Sequence, residues 1–128
     1  MAGRVFVCLA LAGACGGGSG LGRVPEGPWG GEHVSLDVRS IGAGVGLDCA
    51  HGEITAPLRL EPDGTFDLPG YYVRDVGPSF DPERRLPARY SGRSDGQRLT
   101  LSFVLEDGSG EGPFTAFLGG ESVVQACR

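Results

Sequence analysis

A chain of 128 residues with a formal charge of −5 leaves room for one small domain once any targeting segment is removed. All eleven cationic side chains are arginine, which excludes both a Schiff-base lysine and a P-loop lysine. Arg84-Arg85 is too small a cluster of positive charge for a nucleic-acid surface, so we do not expect nucleic acid as a partner.

Residues 1–14 have the features of a signal peptide. Arg4 precedes an apolar run that ends at Ala12 and is too short to span a bilayer. Small residues then lead directly to Cys15, and a Cys at this junction resembles the bacterial lipobox, where the thiol is acylated. We therefore expect export and a lipid anchor at Cys15 that holds the protein to a membrane of the cell envelope. Cleavage of the same bond by ordinary signal peptidase, which gives a secreted soluble protein, is the alternative.

The segment 15–27 follows as the lipid-anchored Cys and a glycine-rich tether, because consecutive glycines have no side chains with which to join a core. The domain itself is predicted over residues 28–128.

Cysteine parity predicts a disulfide. Cys8 leaves with the leader and Cys15 carries lipid, so Cys49 and Cys127 remain as a pair in an oxidising compartment. Two buried free thiols are the alternative.

Alternating apolar residues from Glu32 onward predict β-strands, since no stretch keeps a helical period for two turns. Glycine-rich and Asp-Gly segments separate the runs and indicate hairpins. The predicted strands lie near 32–40, 44–50, 53–60, 65–74, 88–94, 97–106, 112–118 and 121–127. We predict an all-β, eight-stranded antiparallel meander that closes into a small up-and-down barrel, with a two-sheet β-sandwich as the alternative.

The predicted closed barrel and the predicted disulfide are difficult to combine. Cys49 and Cys127 lie at the ends of the second and eighth predicted strands, and the first strand lies between those two in a closed barrel. Two strand spacings of about 4.8 Å each exceed the reach of a disulfide. The first strand must therefore start late at that level, or one end must bend inward.

Gly27-Pro28-Trp29 resembles the G-x-W motif that opens the first strand of lipocalin- and avidin-like barrels. The resemblance implies that Trp29 closes one barrel end and pairs with an arginine that follows the last strand, here Arg128. A wider resemblance over residues 28–128 is carried by WGGEHV at 29–34, DCAHG at 48–52 and ARYSG at 88–92. These motifs are similar to a family of small exported bacterial proteins without an established activity, which supports the domain and the disulfide but implies no function.

The candidate metal ligands and catalytic groups are few. His51 lies near Asp48 and Glu53, a set of side chains that suits zinc, but it falls on a predicted hairpin beside a cysteine that we expect to be oxidised. We assign His33 and His51 structural or surface roles and expect neither a metal ion nor another cofactor. The sequence has no G-x-S-x-G elbow and no nucleophile beside an identifiable base, so we assign no catalytic residue.

The loop from Asp75 to Pro87 is long for so small a domain. It carries Phe80 and the pair Arg84-Arg85, which suit an anionic or aromatic partner. A rigid, proline-braced loop without a partner is the alternative.

Three classes of function remain. We expect a non-catalytic binding or interaction module of the cell envelope that meets a protein or glycan through one barrel end. A lipocalin-like carrier of a small apolar ligand is the alternative, and an enzyme is the third class. The inward side chains favour the module, since an eight-stranded barrel has room for little beyond them. They are Leu36, Leu47, Leu58, Phe66, Leu101, Phe103 and Phe114.

Overall fold

The computed structural model describes residues 22–75 and 84–127, and within them the chain forms eight strands and no helix. The strands are β1 (Gly27–Gly31), β2 (Val34–Arg39), β3 (Gly42–Leu47), β4 (Ala50–Ile54), β5 (Thr65–Arg74), β6 (Leu86–Ser94), β7 (Arg98–Leu105) and β8 (Gly110–Leu118). Each strand pairs antiparallel with the next, and β1 pairs with β8 to close a barrel. The predicted closed meander is confirmed, and the sandwich is excluded.

The predicted leader (residues 1–14) and the lipidation site Cys15 lie outside the described residues. The signal peptide, the lipid anchor and most of the tether therefore stay predictions. Within the described part of the chain, no helix is long and apolar enough to cross a membrane.

The strand prediction is wrong at both ends of the domain. Residues 27–31 lie before the first strand predicted from alternation (32–40), because Gly-Pro-Trp-Gly-Gly has no alternation of apolar and polar residues, although the G-x-W resemblance places residues 27–29 at the opening of the first strand. They form β1, since pairing with β2 on one side and β8 on the other imposes the extended conformation. The predicted strand over 121–127 is wrong: among these residues only Val123 makes a β-bridge, with Glu32.

The predicted strand over 53–60 also ends early. β4 stops at Ile54, before Pro57, which cannot donate a hydrogen bond to a sheet. Leu58 turns inward instead and is fully buried, and its carbonyl accepts the N–H of Val24 at 2.9 Å. These two apolar residues contribute to the core at one end of the barrel, beyond the strands themselves.

The interior is filled by side chains. Trp29, Tyr90 and Leu101 are among the fully buried ones, and the rings of Tyr72 and Phe103 stack with their centroids 4.8 Å apart. All seven residues predicted to point inward belong to this core or pack against it, with Phe114 only partly buried. The one polar group on the fully buried tyrosine, the Tyr90 hydroxyl, donates to the Tyr71 carbonyl at 2.8 Å.

Alternate connections lie at the same end of the barrel. The turns 32–33, 48–49 and 106–109 share one end, which we call the cysteine end, and the turns 40–41 and 95–97 share the opposite end. The residues that follow β8 form the C-terminal tail (119–127). It starts at the opposite end, where Gly119 N–H donates to the Pro28 carbonyl, and runs parallel to β1 toward the cysteine end.

The course of the tail resolves the tension between barrel and disulfide. The tail is not a strand of the barrel, so it passes along the outside of β1 and reaches the turn between β3 and β4. Cys49 N–H donates there to the Gln125 carbonyl at 2.9 Å. The Cα atoms of Cys49 and Cys127 lie 4.8 Å apart, within the range of a disulfide.

Candidate functional site

The strand pair that closes the barrel is short. β1 and β8 pair at only two positions, Trp29 with Leu118 and Gly30 with Phe117. β1 ends one residue later, whereas β8 extends back to Gly110 at the cysteine end. We call this junction the seam.

The part of β8 beyond the seam bends away from β1. Its register with β7 shifts between Leu101 and Phe103, where Gly112 and Pro113 oppose the single residue Ser102. Such a bulge bends its strand and increases the local twist. A gap therefore opens between this part of β8 and the end of β1.

The C-terminal tail forms the far wall of that gap. A Cβ atom on Gly30 would overlap the Gly120 carbonyl and come within 2.6 Å of the Ser122 hydroxyl, so the tail lies directly against the backbone of β1. Val123 N–H donates to the Gly31 carbonyl at 3.0 Å, and Val123 accepts from His33 N–H at 2.8 Å. Only a residue without a side chain at position 30 permits this close approach.

Between β8, the end of β1 and the tail lies a groove of about 830 Å³, which we call the seam groove. Its walls combine exposed apolar side chains with carboxylates. The apolar residues are Phe114, Phe117 and Val123, and the carboxylates are Glu32, Glu111 and Glu121. Phe117 is 49% exposed and Val123 is 60% exposed, a high value for such large apolar side chains.

A carboxylate holds the tail in place at the head of the groove. Asp48 Oδ1 accepts the Gln125 N–H at 2.8 Å, and Oδ2 lies 2.5 Å from His33 Nδ1. The hydrogen bond from Gln125 and the contact with His33 hold the pKa of Asp48 below its ordinary value. His33 also lines the groove, so this clamp joins the tail, the turn after β1 and the turn after β3.

The second histidine lies apart from the groove. His51 is on β4, not on the predicted hairpin, and its Nδ1 lies 2.9 Å from both carboxylate oxygens of Asp75. The carboxylate that the structure places beside His51 is thus Asp75, which does not belong to the predicted zinc set. Among residues 22–75 and 84–127, no group of three or more His, Cys, Asp or Glu side chains is arranged to hold a metal ion.

The predicted partner loop is described only in part. Phe80 lies outside the described residues, while Arg84 and Arg85 are exposed just before β6. The Arg85 guanidinium lies over the Tyr71 ring, 4.6 Å from its centroid, and the Tyr71 hydroxyl donates to Glu53 at 3.0 Å. Burial and this bond to Glu53 raise the pKa of Tyr71. Arg85 therefore packs on the barrel wall and does not line the seam groove.

Trp29 lies where a structural residue is expected. It is 1% exposed, and its indole N–H donates to the Pro25 carbonyl at 3.0 Å, which ties the segment before β1 to the core. Arg128 lies outside the described residues, so its pairing with Trp29 stays a prediction.

The residues of the groove were not identified from the sequence. Phe117 and Glu121 lie in the predicted strands 112–118 and 121–127, and Glu111 lies in the predicted turn before the first of these. Pro113 within a predicted strand was the available signal, because proline in a sheet is confined to edges and bulges. It lies in the bulge opposite Ser102, where the register between β7 and β8 shifts.

No protein-family model matches the chain, and neither a curated protein nor a solved structure shows significant similarity to it. The function must therefore be argued from geometry and chemistry. Concave apolar surface with a few convergent polar groups is typical of a binding site.

Proposed function

We propose that the protein is a non-catalytic binding module of the cell envelope, exported, lipid-anchored at Cys15, and specialised to hold a partner in the seam groove. The observation that carries the proposal is the position of the groove. It lies on the outside of a packed barrel and is walled by a tail that takes no part in closing that barrel.

The packed interior supports a module over a lipocalin-like carrier. A carrier needs an internal cavity of a few hundred cubic ångströms to enclose its ligand. The corresponding space here holds Trp29, Tyr90, Leu99 and Leu101, each at most 1% exposed. A partner must therefore meet the outer surface.

The placement of the cysteines supports an exported protein. A pair at disulfide distance with a sequence separation of 78 suits an oxidising compartment. The predicted tether up to residue 27 ends where β1 begins, so a lipid at Cys15 leaves the whole barrel free to face its partner.

Site-specific photocrosslinking in the host cell tests the proposal. A photoreactive phenylalanine analogue at position 117 places the crosslinker in the groove, and the same analogue at Ile41, which is 72% exposed at the opposite end, is the matched control. We expect a discrete crosslinked species from position 117 and none from position 41. A third position, Leu86, lies next to the predicted loop of Phe80, Arg84 and Arg85. Crosslinks from position 86 alone, or from none of the three, would contradict the proposal.

A further inference from the structure

We propose that the seam groove recognises an arginine-bearing, extended peptide segment of a partner protein, with one guanidinium on the Phe117 ring beside the Glu121 carboxylate and a second arginine toward Glu111, six residues away along β8. This inference rests on the proposed function, since it names the chemistry of the partner that the groove holds.

The carboxylates of the groove have no positive partner within the part of the chain that the structure describes. Glu32, Glu111 and Glu121 form no ion pair there, and no arginine lines the groove. Two other acids on the barrel wall are paired: Asp67 lies 3.0 Å from Arg89, and Glu53 lies 3.6 Å from Arg39. The groove thus offers three exposed carboxylates to a cationic partner, and a protein of net charge −5 attracts cations to it.

The exposed aromatic ring favours arginine over lysine. A cation over an aromatic face gains electrostatic attraction, and a planar guanidinium can also stack on the ring while it donates two hydrogen bonds to one carboxylate. Lysine offers a point charge without the planar fork. Phe117 lines the same groove as Glu121, and the N–H of Gly120, the residue before Glu121, donates to the Phe117 carbonyl at 2.9 Å, so an arginine on the ring lies close to this carboxylate.

The barrel already contains this type of contact. The Arg85 guanidinium lies 4.6 Å from the centroid of Tyr71, and Tyr71 in turn donates to the carboxylate of Glu53. An aromatic ring, a carboxylate and an arginine thus meet on the outer wall of β4 and β5. Among the residues that the structure describes, the seam groove is lined by the ring and the carboxylates but by no arginine.

The shape of the groove favours a short extended segment that is read by its side chains. A volume of 830 Å³ is that of a small-ligand site, too small for a folded domain. Addition of a β-strand to the free edge of β8 is disfavoured, because Pro113 has no N–H and the bulge at Gly112 interrupts the edge. The side chains of the groove, not its backbone, must therefore provide most of the recognition.

The test measures the binding of three fluorescent peptides to the oxidised protein extracted from host membranes. The peptides alternate glycine with arginine, with lysine or with glutamate. We expect the arginine peptide to bind more tightly than the lysine peptide, and the glutamate peptide to show no detectable binding. The affinity of the arginine peptide should fall as the salt concentration is raised. Equal affinity for arginine and lysine peptides, or no affinity for either, would overturn the proposal.

Variants assign the binding to the groove. The double variant Glu111→Gln with Glu121→Gln should weaken arginine-peptide binding by about tenfold or more, since charge-assisted contacts are lost. Separately, Phe117→Ala should weaken it about two- to fivefold, since a cation–π contact at an exposed ring is lost. Glu106→Gln removes an exposed acid in the turn between β7 and β8 that does not line the groove, and it should leave the affinity unchanged. An unchanged melting temperature shows that each variant folds. Equal losses in all three variants would mean nonspecific charge attraction and would refute the site.

The peptide and the crosslinking experiments separate the two proposals. If the crosslinker at position 117 captures a partner in cells and the arginine peptide does not compete with it, the groove is a binding site and its arginine specificity is wrong. If the arginine peptide binds the purified protein and no partner is captured in cells, the chemistry stands and the proposed function is wrong.

Discussion

The carboxylate of Asp48 accepts the backbone N–H of Gln125 at 2.8 Å and so fastens the C-terminal tail to a turn 77 positions earlier in the chain. Two further contacts act at the same place, the disulfide pair Cys49–Cys127 and the bond from Cys49 N–H to the Gln125 carbonyl. The tail carries Glu121 and Val123, which form the far wall of the seam groove. The geometry of the groove therefore depends on contacts made at the cysteine end.

Acid should loosen the tail through Asp48. Because the pKa of Asp48 is lowered in the folded protein, its contribution to stability is present above the ordinary carboxyl pKa and is lost as the pH falls through the lowered value. The variant Asp48→Asn removes this contribution at every pH. We expect a smaller protection factor against hydrogen exchange at the Gln125 amide in the variant at neutral pH, and in the unaltered protein only well below the ordinary carboxyl pKa of about 4.

A matched control is Asp107→Asn. Asp107 accepts the Ser109 N–H and hydroxyl in the turn between β7 and β8, which also lowers its pKa, but it does not contact the tail. This variant should leave exchange at Gln125 unchanged. Equal exchange at Gln125 in both variants would show that the clamp by Asp48 does not hold the tail.

The disulfide should stabilise the folded protein far more than the tail contacts do. Replacing both cysteines by serine removes a covalent loop with a sequence separation of 78, for which the chain-entropy argument gives a loss of roughly 4–5 kcal/mol at most. We expect a lower calorimetric melting temperature with a far-ultraviolet spectrum of unchanged shape below it, because the tail is not a strand of the barrel. Loss of the β-spectrum at low temperature would contradict this separation of tail and barrel.

Much of the fold followed from the sequence because most strands alternate. β2, with Val34, Leu36 and Val38 buried and their neighbours facing outward, has the period of two that a half-buried strand imposes. β1 has no such pattern, because Trp29 is its only bulky inward residue. Its extended conformation comes from pairing with β2 and β8. The prediction of a strand over 121–127 is wrong because the short apolar segment from Ser122 to Ala126 has the composition of a strand but makes only one β-bridge.

The seam groove was harder to predict than the strands. Phe117 and Glu111 belong to β8, whose existence is predicted correctly. Phe117 pairs with Gly30 of β1, but the open edge of β8 beside Glu111 depends on where β1 ends. That end is determined by contacts between the first and last strands, which are remote in sequence. The alternation of residues within β8 does not indicate which of them pair with β1. The groove could therefore not be predicted before the closure of the barrel was known.

Gly31→Ala should weaken the seam. A Cβ at Gly31 would overlap the Thr115 carbonyl and lie 3.2 Å from Ala116 Cα, both backbone atoms of β8 that cannot move cheaply. We expect a loss of about 1–3 kcal/mol in the free energy of unfolding, as for an overpacked core. Gly44→Ala is the control, since its Cβ would meet only the Arg39 side chain at 3.8 Å. Its effect should stay within about 0.5 kcal/mol in denaturant titrations, and equal losses in the two variants would contradict a tight seam.

Tyr90→Phe should make the protein less sensitive to alkali. Burial raises the pKa of Tyr90 well above its ordinary value of 10.0, so above that pH the unfolded chain releases a proton that the folded protein retains. Stability therefore falls as the pH rises beyond about 10. The variant lacks this proton and should show a shallower fall, although at neutral pH it loses about 0.5–1.5 kcal/mol with the hydrogen bond to the Tyr71 carbonyl. Urea titrations between pH 8 and 11 measure both effects, and parallel curves for the two proteins would show that Tyr90 is not the group responsible.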